Sequence, residues 1–467
     1  IKDFLTQINA ETGKAQNRVN LSKLKDQLQC KPADTNDLNL MHEGRQIIQQ
    51  GPLKKRSSVE TTEINCFLLD HMFFMAKRKK GKENGSIEYK IFKRPIPLEL
   101  LTVNCPDEQS EVNGTVGAGA SPATPTASSG AAGGFPIILT HLGRRGGTHT
   151  FYASSFAERR EWVENLTKQR DIKTKQNMKF ELIPLTSITF PIFNRVNTSV
   201  TFDHNRRVAI GTDQGIYVGL NNDPESFEKL PLPQEKVLQI DVLEEYNIFF
   251  VLSDKDRNLW SYPLEALNPT LAVNAKPKKV HSHITFFKAG MCLDRILVCS
   301  VRSSNITTII KSDEPISPSQ IRRNKSFGRF LPRGNQEILR PYKEFYIPSE
   351  TSSLHLFKAL IIVGCLKGFE IVNPLTSKTQ ELLDPKDDSL NFVRKRENIR
   401  PIAIFKVQGG DFLLCYDELA FYVNKNGQRA RPHWIIHWEG EPNSFSLCYP
   451  YILAFNPFFI EIRHVES

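Results

Sequence analysis

The side chains best suited to chemistry in this sequence are cations in two short runs. Lys54-Lys55-Arg56 stands at the end of an apolar stretch, and Lys77-Arg78-Lys79-Lys80-Gly81-Lys82 follows in what reads as a later turn. Brought to one rim, such groups could hold phosphate oxygens, each basic residue near an anionic bilayer contributing about 1 kcal/mol. Residues 44–175 carry 20 Lys and Arg against 13 Asp and Glu, so much of the chain's net charge of +10 sits here. The runs read either as a weak, charge-driven membrane contact or as a solvated charged turn.

Other candidates point less far. His281-Ser-His283 would share a strand face, and His433 and His437 bracket Trp434-Ile-Ile. The second spacing suits a metal only on a helix, whereas its context is strand-like, so no metal site is expected. Gly211 to Gly215 lacks the Gly-Lys-Ser/Thr of a phosphate loop and reads as a turn. Arg322-Arg-Asn-Lys-Ser326-Phe is the kind of exposed basic motif that Arg-directed kinases modify, and phosphorylation of Ser326 would add about −2 charge. The eight cysteines show no CxxC spacing and mostly occupy apolar runs, which favours reduced, buried thiols in a cytosolic protein. Basic residues without interleaved aromatics argue against nucleic acid as the acidic partner. No cofactor is expected.

The elements that must position these residues are mostly strands. The longest apolar run, Ala359 to Leu366, is strand-sized, and the opening Ile-Lys-Asp-Phe has no signal-like character, so the chain is expected to start inside a longer protein. Residues 1–43 read as helical, with Asn20 capping a turn that aligns Leu21, Leu24 and Leu28. Strands are expected at 46–53, 63–69, 72–76, 87–92, 136–142 and 149–152. A helix then opens on a Ser155/Glu158 capping box, with Phe156, Arg159, Trp162, Val163 and Leu166 on one stripe. A Gly/Ala/Ser/Pro/Thr-rich insertion at about 105–134 and a polar one at about 311–343 interrupt the pattern and read as mobile.

Beyond residue 176 a two-strand motif recurs around Gly211, Ser253, Cys299, Gly364, Cys415 and Ala454, at spacings of 42, 46, 65, 51 and 39 residues. The longest spacing holds the polar insertion, so the period matches a propeller blade. The expected fold is mainly β: a sandwich or barrel closed by a helix, then a β-propeller. Seven blades are preferred if Ile183 to Phe190 completes the last one, six otherwise. A pair of sandwiches is the other architecture compatible with such spacing.

With its strands and the tryptophan on its closing helix, 44–175 resembles a pleckstrin homology domain. Ile8-Asn-Ala-Glu-Thr-Gly-Lys-Ala-Gln-Asn-Arg-Val-Asn20, within 1–43, is similar to the end of a Dbl homology domain and its linker in fungal Rho guanine nucleotide exchange factors. The region assigned to the propeller, 176–467, resembles the citron homology domain from residue 180 onward. Gly211-Thr-Asp-Gln-Gly-Ile-Tyr-Val, Gln239-Ile-Asp-Val-Leu, Tyr262-Pro-Leu, Phe286-Phe-Lys-Ala-Gly, Lys367-Gly-Phe-Glu-Ile, Leu413-Leu-Cys-Tyr-Asp and Ile460-Glu-Ile-Arg carry that likeness. The resemblance implies the C-terminal, non-catalytic part of an exchange factor for a Rho-type GTPase in cell-wall integrity signalling. It implies the GTPase and upstream stress sensors as partners, and a cytoplasmic place at plasma-membrane sites of polarised growth. Pleckstrin domains that grip phosphoinositides share a Lys in the first strand and Lys/Arg-x-Arg in the second. Here the second reads Glu63-Ile-Asn-Cys-Phe-Leu, which implies weak attraction rather than tight headgroup recognition. An enzyme with its active site in the propeller channel would need convergent carboxylates or a metal there, and the sequence offers no repeated inward-pointing acidic or histidine set.

Overall fold

Strands dominate the regular structure of this chain, and the two long helices each lay an apolar stripe over a sheet. The computed structural model describes residues 2–29, 38–57, 60–80, 87–106, 134–144, 146–319, 337–366, 368–396 and 399–466. They form two compact units, Ile1–Glu181 and Leu182–Ser467.

The first unit begins with helix α1 (Lys2–Gln27) and strand β1 (Leu28–Gln29). Eight strands follow: β2 (Ile47–Arg56), β3 (Thr61–Leu69), β4 (Met72–Lys80), β5 (Ile87–Ile91), β6 (Ile96–Pro97), β7 (Leu101–Asn104), β8 (Phe135–His141) and β9 (Gly147–Ala153). They pair in the order β1-β5-β4-β3-β2-β9-β8-β7, with β6 on β4. The two halves of the sheet join through Lys54 of β2 and Tyr152 of β9. Inside lie Leu53, Ile64, Leu68, Phe73, Met75, Ile137, Leu139 and Phe151. Helix α2 (Phe156–Asn177) closes this core with Trp162 and Leu166. Its N-terminus is capped as expected by Ser155 Oγ, which accepts from Glu158 N at 3.1 Å. The Glu158 carboxylate reaches back one residue further than a strict capping box, to Ser154 N at 2.8 Å.

Helix α1 corrects one expectation. Asn20 caps nothing: the helix runs straight through it, because Leu21 and Leu24 are buried against the outer face of the sheet beside Phe67, Leu69, Met72 and Phe74. Burial of that stripe outweighs asparagine's weak preference for a cap. Phe67 and Phe74, directly opposite across β3 and β4, stack with ring centroids 4.7 Å apart. Asn17 fastens the helix: its amide donates to Arg45 O at 2.7 Å and accepts from Ile47 N at 3.0 Å, so one side chain satisfies both backbone groups where β2 starts. Arg45 is held in turn by Asp70 at 2.7 Å. Asn17→Ala is expected to cost about 1–3 kcal/mol, since it leaves that amide and carbonyl unpaired. The urea midpoint of this unit and faster exchange of the Ile47 amide would report it.

The second unit is a run of antiparallel sheets. Residues 196–229, 237–281, 286–347, 351–381 and 401–437 each form four strands, and 444–464 form three. All six repeat anchors fall on the second strand of their sheet: Gly211 in Arg207–Thr212, Ser253 in Ile248–Ser253, Cys299 in Arg295–Ser303, Gly364 in Ile361–Cys365, Cys415 in Phe412–Tyr416 and Ala454 in Tyr451–Phe455. Most of these strands are buried on both faces, so they read as continuous apolar runs. Apolar clusters join each blade to the next, for example Phe249 and Val251 with Val218 and Ile216. Between blades two and three, Gln239 donates to Phe287 O at 2.6 Å and accepts from Phe287 N at 3.1 Å.

Six blades, not the preferred seven, are present among the described residues. Ile183 to Phe190 supplies no blade strand. Pro184 and Pro191 bracket it without N–H donors. It instead lays Leu185 and Ile188 over Val208, Ile210 and Phe227 on the outward face of blade one, tied by Ser187 N to Pro224 O at 3.0 Å. The polar insertion is narrower than expected, since Thr308–Pro315 and Leu339–Ile347 are paired strands. Glu314 stands between Arg295 and Arg340 there. The turn read at Gly211 to Gly215 is present, Asp213 and Gln214 joining two paired strands with Gly215 at φ of 132°, but Gly211 itself is not in it. It lies within its strand, where an added Cβ would come within 2.6 Å of Thr198 and 2.7 Å of Val237.

Candidate functional site

Where the apolar core of the first unit stops, its inward register continues in basic side chains. Two residues after Leu53 comes Lys55, two after Met75 comes Lys77, two after Leu139 comes His141, and two before Phe151 comes His149. Because side chains alternate along a strand, these residues project from β2, β4, β8 and β9 toward one open end of the barrel. Phe92 sits among them, its N–H bonded to Met75 O at 2.8 Å. The Lys55 and Lys77 ammonium groups lie 5.0 and 5.1 Å from the centre of its ring, within cation–π reach. Burial holds the Lys55 pKa below its ordinary value, and the nearby charges of Lys93 and Lys77 push it further the same way. His149 is likewise pulled down by burial and then by Lys55, Lys93 and His141.

The two basic runs thus meet only in part. Lys54 and Arg56 point outward, the Arg56 guanidinium lying 4.1 Å from the centre of the Tyr152 ring. Arg78 shares the outer face with its partner Tyr89, and Lys79 stands opposite Glu88. Lys80 ends β4, and Lys82 lies outside the described residues, as does Ser326. Lys93, His149 and Phe92 were not expected. Continuing the core alternation past Leu53, Met75 and Phe151 was the signal that could have found the inward set.

Elsewhere the first histidine pair takes structural roles, while His433 and His437 are exposed. His281 Nε2 lies 2.8 Å from the buried Asp313 carboxylate across blades two and three, while His283 turns the chain with φ of 59°. No group of three metal-ligating side chains occurs among the described residues. Cys66, Cys292, Cys299, Cys365 and Cys415 are buried thiols and Cys448 is exposed. Burial pushes the Cys299 thiol up to about 12, which leaves it unreactive.

On the innermost strands of the six blades, Asp241 is the one carboxylate. Burial raises its pKa against the pull of the Val242 amide and Lys288. His355, on the inner strand Thr351–Leu356, is held down to about 4 by burial and by Lys288. The folded propeller therefore keeps His355 neutral while the unfolded chain titrates near 6.5. That stability is full above pH 6.5 and is lost as pH falls toward 4, by about 3 kcal/mol in all. The propeller's unfolding midpoint should fall over this window, and His355→Gln should flatten the profile.

Comparison with known proteins places these units. The CNH domain family model matches residues 204–467, more than half of the chain. This chain belongs to the CNH domain family. The pleckstrin homology domain model matches residues 47–170, the barrel with its closing helix. The solved "AfRom2 CNH domain" is 44% identical with a TM-score of 0.52, over 61% of this chain and 86% of its own. This CNH protein is 43% identical over its whole length to "Rho1 guanine nucleotide exchange factor 1" of Schizosaccharomyces pombe, covering 36% of that protein. It is 32% identical to "RHO1 GDP-GTP exchange protein 2" of Saccharomyces cerevisiae, covering 35% of it. The chain thus spans little more than a third of either relative.

Proposed function

We propose that this chain is the non-catalytic, positioning part of an exchange factor for a Rho-type small GTPase. The propeller docks protein partners, the GTPase among them, and the barrel mouth engages phosphate-bearing lipids at the plasma membrane. The observation that carries this reading is the full-length likeness to a Rho1 exchange factor at 43% identity. We place the protein in cell-wall integrity signalling, in the cytoplasm and at plasma-membrane sites of polarised growth, with upstream stress sensors as further partners.

The test is a pull-down of GDP-loaded, GTP-loaded and nucleotide-free Rho by the whole chain and by the propeller alone, paired with release of labelled GDP. Retention of Rho by both proteins without faster release is expected. Accelerated release would overturn the non-catalytic assignment, and no retention in any nucleotide state would remove the GTPase as a direct ligand. In that case the barrel mouth supports a second reading, a membrane adaptor without GTPase contact.

A further inference from the structure

We infer that capture of a phosphate ester at the barrel mouth takes up a proton on His149, so that this contact tightens as the pH falls. The inference rests on the reading of the mouth as a phosphate site and concerns how that site is controlled. His149 sits one alternation step from the core residue Phe151, its ring centre 6.4 Å from that of Phe151. It is thus half inside the barrel, with basic side chains from three other segments acting on it. Lys55 comes from β2, Lys93 from the segment after β5, and His141 from the end of β8. Lys77 of β4 joins them around Phe92.

Among the described residues, the groups whose charge acts on Lys55 and His149 are basic. Convergent like charges cost free energy in the empty protein, and the imidazoles of the set, with His149 pulled down by burial and by its neighbours, relieve this near neutral pH by giving up a proton. An entering phosphate dianion reverses the balance. It neutralises the ammonium groups and favours imidazolium, which then donates a second charge-assisted hydrogen bond. The proton comes from solvent, and no bond other than N–H is made. A phosphate monoester itself titrates near pH 6 and becomes a better ligand as pH rises, so the two effects oppose each other. A sulfate ester stays ionised throughout and isolates the protein's proton.

The experiment uses the whole chain with inositol hexasulfate, then inositol 1,4,5-trisphosphate, then vesicles containing a bisphosphorylated phosphatidylinositol, each at pH 7.5, 6.5 and 5.5. For the sulfate ester, affinity should rise about tenfold from pH 7.5 to 5.5 in the wild type and clearly less in His149→Gln, where His141 is the imidazole left at the mouth. His149→Lys, a permanent cation, should bind at pH 7.5 as the wild type does at pH 5.5. Titration calorimetry in two buffers of different ionisation enthalpy should show greater proton uptake by the wild type than by His149→Gln for both soluble probes. Binding to vesicles but to neither soluble probe would overturn the inference, because it would make the contact one with the bilayer surface. Equal pH profiles for wild type and His149→Gln would overturn the proton coupling while leaving the phosphate site standing. No binding of any probe, with Lys55→Glu/Lys77→Glu indistinguishable from wild type, would overturn the site itself and the inference with it. Circular dichroism at each pH keeps loss of fold from being read as loss of affinity.

Discussion

Trp162→Ala is expected to destabilise the first unit by about 3–5 kcal/mol, a large part of what a domain of this size has. The indole is 1% exposed and meets Phe73 edge-on with ring centroids 6.4 Å apart. It lies over Gly51 of β2, where even an added Cβ would stand 3.7 Å from the ring. The cavity left behind adds to the lost transfer energy. Trp162→Phe keeps much of the contact and should cost less than half as much. Urea unfolding followed by near-ultraviolet circular dichroism measures both. An unchanged midpoint for Trp162→Ala would show that α2 is not the closure of this core. The propeller transition should be unaffected in either variant, because the tryptophan belongs to a different compact unit.

The second large effect concerns the barrel mouth. Lys55→Glu/Lys77→Glu should weaken binding to anionic vesicles by about 4 kcal/mol, roughly a thousandfold, since each reversal removes one attraction and adds one repulsion. Lys54→Glu/Arg78→Glu changes the net charge by the same amount on the outer face, and about a tenfold loss is expected there. Sedimentation with vesicles at physiological salt compares the pairs. Equal losses would mean that total charge, rather than the inward constellation, attracts the membrane. The contrast is worth measuring because sequence proximity groups Lys54 with Lys55 and Lys77 with Arg78, whereas strand alternation separates them.

The propeller illustrates the same division. Six repeat anchors mark six second strands, and they are visible because a strand buried between two neighbouring blades has to be apolar along its length. The blade count is a different matter. Ile183 to Phe190 has the composition of a strand, yet its prolines and the uncovered face of blade one turn it into a strap. Composition alone does not distinguish a segment that pairs at a sheet edge from one that lies across a sheet face. The insertion at 311–343 shows the converse. Its polar residues include the paired strand ends Lys311 to Pro315 and Leu339 to Lys343, because outer strands of a blade need bury little of their surface.

Helix α1 is the clearest case of a partner chosen by tertiary structure. The Leu21, Leu24 and Leu28 spacing was readable as a helix with one apolar face, which holds for Leu21 and Leu24, whereas the helix ends at Gln27 and Leu28 pairs with Tyr89 as strand β1. That this face would lie on the back of the β3–β4 sheet, over Phe67 and Phe74, was not readable, because those phenylalanines alternate like any strand residues. Asn17, read at most as linker, does the work of a short strand by pairing with Arg45 and Ile47.

What the sequence determined by itself was the order of elements, the blade period, the capped closing helix with Trp162, and the likeness to pleckstrin and citron homology domains. All of these depend on short-range periodicity or on motifs a few residues long. Tertiary structure alone decided the number of blades, the seat of helix α1 and which cations face one another. Those outcomes depend on which sheet faces remain uncovered and on how inward registers of distant strands converge. Lys55, Lys77, Lys93 and His149 become one site only because three strands and the segment after β5, up to 94 residues apart in the chain, meet at the same mouth.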